Sequence, residues 1–94
     1  MPGAATSTGE LTADTLIVTK KGLLTSVLVI TDGTNQATVV IYDNTAASGK
    51  KLAEFGVPGA SLYGGRNWVV PVQYEIGLYM DITGTGASAI VEYI

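Results

Sequence analysis

Runs of apolar and β-branched residues, separated by short clusters of turn residues, fill the chain from residue 14 onward. The organising stretch is residues 27–43, VLVITDGTNQATVVIYD, in which two such runs flank Asp32-Gly33-Thr34-Asn35-Gln36. β-Branched and aromatic residues fit a pleated, half-buried surface, and Asp-Gly or Asn between two such runs is a strong hairpin signal. Both runs carry apolar residues on both faces, so both faces need cover. The stretch therefore predicts a hairpin at the centre of a two-layer β structure.

The rest of the chain predicts further strands of the same kind. In addition to the second run of the stretch 27–43, the predicted strands cover residues 15–19, 23–31, 50–57, 66–73, 74–83 and 87–94. Lys50 and Lys51 indicate that their strand has one end near solvent or a sheet edge. Pro71 restricts its strand to an edge or a bulge, because proline donates no ladder hydrogen bond.

The cleanest alternation lies in residues 74–83. One face carries Tyr74, Ile76, Leu78, Met80 and Ile82, and the other carries Glu75, Gly77, Tyr79 and Asp81. Since successive side chains of a strand point to opposite faces, this pattern predicts one core face and one solvent face.

About seven short strands with turn residues between them, and no helical period, predict an all-β fold. We expect a single small antiparallel β-sandwich, jelly-roll-like, with a small barrel as the alternative. An immunoglobulin domain is not favoured, because its Cys and Trp spacing is absent. Residues 1–13 are small and polar, so the predicted domains are a flexible N-terminal arm, 1–13, and a sandwich, 14–94. The arm is either a frayed terminus or a segment that orders on a neighbouring subunit.

Composition narrows the classes of partner. Charged residues make up 14% of the 94 residues and the net charge is −3, which argues against nucleic-acid binding because that needs clustered Lys and Arg. No apolar run approaches the roughly 18 residues of a membrane span, so we expect no membrane partner. The first residues do not resemble a secretory signal, so we expect synthesis in a cytoplasm. A small, weakly charged chain without cysteine is stabilised by sharing its faces with partners, which favours a homo-oligomer.

The residue types argue against catalysis. Histidine and cysteine are absent, which removes the usual general base and thiol nucleophile. Glu75 and Asp81 would lie roughly 20 Å apart along one strand, beyond the about 5–10 Å of glycosidase pairs. Asp81 with Glu92 is the alternative cross-strand pair. We expect no enzyme and no cofactor.

Two loops offer oxygen ligands of the kind that calcium prefers. They are Asp32-Gly33-Thr34-Asn35 and Asp43-Asn44-Thr45. Neither has the spacing of a known calcium loop, and Asp and Asn also form turns through their own hydrogen bonds. The turn-forming interpretation is favoured, so no metal site is predicted.

Aromatic residues and one arginine are the candidate interface or ligand contacts: Tyr63, Arg66, Trp68 and Tyr79. Tyrosine is enriched at interfaces, and aromatic rings beside polar groups suit a sugar ring. Trp68 shares its predicted face with Val70 and Val72, which favours a core position for its ring.

Three segments, TDGTNQATVVIYDNTAASGKKL, VPV and YEIGLYMDITGTGASAIVEYI, together resemble small β-sandwich virion proteins of tailed bacteriophages. In those chains an apolar hairpin precedes a YDN-type loop and an ASG-type turn, and a G-L-Y strand precedes a closing V-E-Y strand. The resemblance covers roughly residues 22–94.

The resemblance implies a structural protein of the virion, without enzymatic activity. The expected role is a capsid decoration or cement protein that binds the outer capsid surface and stabilises it through self-association. Its expected partners are the major capsid protein, or other virion proteins, and further copies of itself, with a trimer favoured because it matches the threefold positions of capsids. A tail or fibre-associated virion protein is the alternative, and a carbohydrate-binding module is the alternative of another class.

Overall fold

The computed structural model describes residues 4–94 as eight β-strands and one short 3₁₀ turn. The strands are β1 (Thr6–Leu11), β2 (Thr15–Val18), β3 (Gly22–Ile30), β4 (Ala37–Asp43), β5 (Lys50–Val57), β6 (Tyr63–Tyr74), β7 (Leu78–Thr83) and β8 (Ser88–Tyr93). The 3₁₀ turn, Gly59–Ser61, lies between β5 and β6. Within this part of the chain, no helix has the length and apolar character needed to cross a membrane.

The strands form two four-stranded sheets, and all neighbouring strands run antiparallel. The first sheet has the order β1-β8-β3-β6 and the second has the order β2-β7-β4-β5. Eight strands divided in this way between two sheets have the order of a jelly roll. The predicted all-β antiparallel sandwich is confirmed, with eight strands instead of about seven, because β1 lies in the segment that was predicted to be an arm.

The core lies between the sheets and is built from alternate residues of the central strands. Val27 and Val29 of β3 are 2% and 0% exposed, whereas Leu28 between them is 39% exposed. Opposite them, Val39 and Ile41 of β4 are completely buried. Burying one aliphatic side chain of this size contributes about 1.5–3 kcal/mol, so these inner faces supply the main stabilisation of the fold.

The predicted hairpin over residues 27–43 is wrong in its pairing. Both strands exist, but β3 pairs with β6 and β8 in the first sheet, and β4 pairs with β5 and β7 in the second. The turn from Asp32 to Gln36 therefore connects the two sheets. Asp32 Oδ1 accepts hydrogen bonds from the backbone N–H groups of Thr34 and Asn35 at 2.9 and 2.7 Å. Apolar residues on both faces indicate burial, but they do not show which strand is the neighbour.

The predicted flexible arm, residues 1–13, is corrected for its central part. Thr6–Leu11 forms β1 at the edge of the first sheet and pairs with β8. Thr8 Oγ1 accepts a hydrogen bond from the backbone N–H of Val91 at 3.1 Å. A polar segment can form an edge strand because the backbone groups supply the pairing. The part of the prediction that falls on residues 1–3 lies outside the described residues.

A turn at Glu75, Ile76 and Gly77 separates β6 from β7, and the carboxylate of Asp43 holds it. Asp43 accepts backbone N–H hydrogen bonds from Glu75 at 3.0 Å, Ile76 at 2.8 Å and Gly77 at 3.4 Å. The Asp43 side chain lies at the end of β4, and the residue is only 6% exposed. Burial alone would raise the pKa of Asp43, but the three N–H donors and the nearby Lys50 outweigh it and hold the pKa below its usual 3.8.

This turn breaks the strand predicted over residues 74–83. Leu78 and Met80 are completely buried, as predicted, but Ile76 is 53% exposed instead of lying in the core. Glu75 is also outside the strand that carries Asp81. The alternation could not reveal the break, because the carboxylate that causes it comes from 32 positions earlier in the chain.

Both sequence indications of an edge strand are confirmed. β5, which begins with Lys50 and Lys51, is the last strand of the second sheet, and β6, which contains Pro71, is the last strand of the first. The register of β3 with β6 shifts at Thr25, so that residues 68–71 of β6 form a bulge opposite this one residue. Pro71 thus lies where no ladder hydrogen bond is required of it.

Candidate interaction surfaces

The four candidate contact residues are divided between the two sheets. Tyr63, Arg66 and Trp68 belong to β6 in the first sheet, and Tyr79 belongs to β7 in the second. Tyr63 and Arg66 line one groove, to which Trp68 and Tyr79 do not contribute. The structure therefore brings two of the four residues together and places the other two elsewhere.

The groove, of about 570 Å³, crosses the outer face of the first sheet. Leu28 of β3 and Ile90 of β8 are in-register partners and give it an apolar surface. Gly64 and Gly65 of β6 lie alongside and contribute no side chain. A Cβ atom at Gly65 would overlap the carbonyl oxygen of Val27. The glycine is therefore required by the close approach of β3 and β6, and the groove follows from it.

Polar groups surround this apolar surface. Ser26 Oγ donates a hydrogen bond to Glu92 Oε1 at 2.7 Å, which holds the carboxylate in place. Arg66 and Asn67 add donors, and Tyr63 is 68% exposed. An apolar surface with a few fixed polar groups is a feature of small-ligand sites. This groove is open to solvent, so it suits a polar ring that packs on its surface rather than a ligand that it encloses.

A shallow apolar depression, open to solvent, lies beside the groove, and we call it the apolar hollow. It is lined by Leu28, Ile30, Thr31, Leu62 and Tyr63. Leu62 is 56% exposed and has a φ of 68°, which is rare for a bulky residue and strained. The backbone N–H of Thr31 donates to the Leu62 carbonyl at 2.7 Å, which helps to fix this conformation. The strained backbone presents an exposed leucine at the hollow.

The bulge at residues 68–71 has one side chain turned inward and two turned outward. Trp68 packs against the core, with its ring 6.4 Å from that of Phe55 in an edge-to-face arrangement. The guanidinium carbon of Arg66 lies 5.4 Å from the Trp68 ring centre, within reach of a cation–π contact. This arrangement agrees with the core position favoured for Trp68.

Val69 and Val70, which we call the valine knob, are 99% and 79% exposed. The prediction that Val70 shares a buried face with Trp68 is wrong, because the bulge breaks the alternation between them. The exposure of these two valines was not predicted from the sequence. Its only signal was Pro71 directly after two valines, which marked a bulge but not the direction of the side chains.

The outer face of the second sheet carries a separate patch around Tyr79. Tyr42 of β4 and Leu16 of β2 are its in-register neighbours. Tyr79 and Tyr42 are half-buried, and Leu16 is 43% exposed. This patch lies across the sandwich from the groove.

Asp81 also lies on this face, next to Asp14. Partial burial and the neighbouring Asp14 carboxyl group raise the pKa of Asp81 above its usual 3.8. Asp14 Oδ1 in turn accepts a hydrogen bond from the backbone N–H of Ile82 at 2.8 Å. The alternative pair of Asp81 with Glu92 is not formed, since Glu92 lies on the outer face of the first sheet.

The loop residues considered as metal ligands form turns. Asn44 Oδ1 accepts from the Thr45 N–H at 2.8 Å, and Asn44 Nδ2 donates to the Ser48 carbonyl at 2.9 Å. Asp32 forms the equivalent turn between β3 and β4. The turn-forming interpretation is confirmed for both residues. Among residues 4–94 there is no group of three or more His, Cys, Asp or Glu side chains that could hold a metal ion.

Comparisons of the chain with known protein families, with curated proteins and with solved structures find no match. The jelly-roll class therefore follows from the strand order alone. Because one fold serves many functions, the surfaces must carry the functional argument.

Proposed function

We propose that this chain is a structural protein of a bacteriophage virion, in the role of a capsid decoration protein without enzymatic activity. The observation that carries the proposal is the amount of large apolar side chain at the surface of a small jelly roll. Among residues 4–94, nine such residues are exposed: Leu16, Leu23, Leu28, Leu62, Tyr63, Val69, Val70, Ile76 and Ile94. Single exposed apolar residues are ordinary, but contiguous ones mark interaction surfaces. The jelly roll is also an architecture of viral capsid proteins.

The partners in this proposal are further copies of the chain and the major capsid protein. With 14% charged residues, the surface is better suited to apolar contact than to electrostatic attraction. A trimer fits the threefold positions of a capsid. We expect such contacts to depend little on ionic strength, because salt screens charges and not apolar contacts.

Cryo-EM of particles that contain the protein tests the proposal. The expected result is density for the chain on the outer capsid surface at threefold positions, with a copy number that is a multiple of three. Particles that lack the protein should also lose their genomes at a lower temperature than particles that carry it. Density on the tail would replace the decoration role with the tail-associated role, and absence of the chain from purified particles would contradict both.

The groove on the first sheet favours one second candidate, a carbohydrate-binding module. Tyr63 and Arg66 lie with fixed polar groups around an apolar surface there. A glycan array tests this candidate, with Tyr63→Ala as the groove variant and Tyr79→Ala as the matched tyrosine control on the opposite sheet. Selective binding that Tyr63→Ala abolishes and Tyr79→Ala preserves would support the module, and an array without selective signal would eliminate it.

A further inference from the structure

We propose that the valine knob of one copy occupies the apolar hollow of a second copy, in a head-to-tail contact that closes into a ring. The contact deepens the self-association in the proposed function, but it does not depend on where the protein is located. Both surfaces are apolar and exposed, and the described part of the chain covers neither of them.

The valine knob is anchored on both sides. Trp68 anchors the bulge inward against Phe55, and Pro71 restricts the backbone at its other end. Bulges commonly redirect side chains and are built into a fold rather than being defects. The 99% exposure of Val69 is therefore a product of the fold.

The apolar hollow has the matching chemistry. None of its lining residues is charged, and neither of the two valines has a polar side chain. Insertion of the knob would therefore remove no charged group from water, which is the usual obstacle to burying a surface. The strained backbone at Leu62 supports a binding role, since strain of this kind concentrates at functional sites.

The knob of a copy cannot fill the hollow of the same copy. Tyr63 of the hollow and Val69 of the knob lie on the same strand, six positions apart. The extended part of β6 between them, residues 63–67, spans roughly 13 Å, and its pairing with β3 prevents the strand from folding back. Only another molecule can bring the two surfaces together.

A second copy is the occupant that accounts for both surfaces at once. Five of the nine exposed large apolar residues belong to the knob or the hollow: Leu28, Leu62, Tyr63, Val69 and Val70. A standard interface buries about 800 Å² per partner, which is a modest part of the 5174 Å² surface of one copy. In a closed head-to-tail ring every copy both gives a knob and receives one, so neither surface stays exposed.

Sedimentation velocity on purified protein tests the contact. The knob variant is Val69→Lys, the hollow variant is Leu62→Gly with Tyr63→Lys, and Ile76→Lys is the control, a 53% exposed apolar residue outside both surfaces. We expect the wild type and the control to form the same closed oligomer. The knob and hollow variants should each weaken self-association at least tenfold, with far-UV circular dichroism spectra unchanged.

Mixing the two variants separates this contact from other ways of associating. The knob variant retains an intact hollow and the hollow variant an intact knob, so an equimolar mixture should form a mixed dimer that neither variant forms alone. A wild type that stays monomeric up to about 1 mM, variants that associate like the wild type, or a mixture without mixed dimers would each overturn the proposal. The two proposals can also separate. If the wild type forms a ring and the mixture forms mixed dimers, but purified virions do not contain the protein, the contact would be supported and the virion role contradicted.

Discussion

Replacement of Asp43 by asparagine tests how one buried carboxylate joins β4 to the turn between β6 and β7. In the native protein its oxygens accept hydrogen bonds from three consecutive backbone N–H groups, the shortest at 2.8 Å. The amide has the same shape, but it has one acceptor oxygen and carries an NH₂ group that faces other donors. We expect Asp43→Asn to fold, with a lower free energy of unfolding.

The size of the effect follows from the charge that the substitution removes from these bonds. Hydrogen bonds to a charged group contribute about 1.5–3 kcal/mol each, and a buried donor left without an acceptor costs about 1–3 kcal/mol. Oδ1 accepts from all three N–H groups, and Oδ2 accepts from Glu75 alone. An amide oxygen in the place of Oδ1 keeps the three bonds without their charge, so the loss at pH 7 is about 2–4 kcal/mol. For a domain of this size about 1 kcal/mol corresponds to roughly 4–8 °C in the melting temperature. The variant should therefore melt about 8–30 °C lower.

The pH dependence supplies a second test of the same carboxylate. Its folded pKa lies below the usual 3.8, so the folded state binds this proton less tightly than the unfolded state does. The stabilisation is fully present above the unfolded pKa and is lost as the pH falls through the folded pKa. The difference between wild type and Asp43→Asn should accordingly be largest near pH 7 and should shrink below pH 3.8.

Urea unfolding followed by circular dichroism, at pH 7 and at several values below 4, measures both effects. Asp32→Asn is the control, because Asp32 also accepts backbone N–H bonds but lies in an exposed turn. The control should lose less stability than Asp43→Asn. Equal losses for the two variants, or a difference at Asp43 that stays constant with pH, would refute the reasoning.

Three further substitutions test other parts of the structure. Asp81→Asn should raise the free energy of unfolding at pH 7. The folded pKa of Asp81 is raised, so the protonated form that favours the folded state is lost as the pH rises through that value. Urea titrations at pH 7 and pH 3 should show the gain in stability only at pH 7. Leu62→Gly should raise the melting temperature, since relief of about 1–3 kcal/mol of strain exceeds the glycine entropy cost; an unchanged or lower value would contradict strain at this residue. Leu78→Lys should cost several kcal/mol and Ile76→Lys under about 1 kcal/mol in denaturant titrations; similar costs would mean that the inner face of β7 is wrongly assigned.

The strands and their edges could be predicted from the sequence because their causes are local. Runs of apolar and β-branched residues bounded by turn residues identified β3, β4, β5 and β8, and Pro71 and the two lysines before Leu52 identified edge strands. These signals depend on the residue itself or on its nearest neighbours in the chain. The all-β jelly-roll class followed from them.

The sequence-based predictions that were wrong concern strands and side chains whose partners are distant in the chain. Whether β3 pairs with β4 is decided by how two layers cover each other, which alternation does not encode. Strand β1 has a polar sequence and pairs through its backbone, and the turn at Ile76 exists because of Asp43.

The candidate contacts divide in the same way. Two of the four candidate contacts, Tyr63 and Arg66, line one groove, whereas Trp68 lies against the core. The exposure of Val69 depends on a shift in register between β3 and β6, and no property of a valine reveals it.

The strand order has a consequence for how quickly the chain folds. Among the described strands, β4 and β5 are the only consecutive pair that is also hydrogen-bonded. Every other pairing joins distant segments, and at the extreme Thr6 lies opposite Tyr93. Proteins dominated by such non-local pairings fold in about milliseconds to seconds. We therefore expect the β4–β5 hairpin to form early, and the first sheet to stay incomplete on the ribosome until β8 has left the exit tunnel.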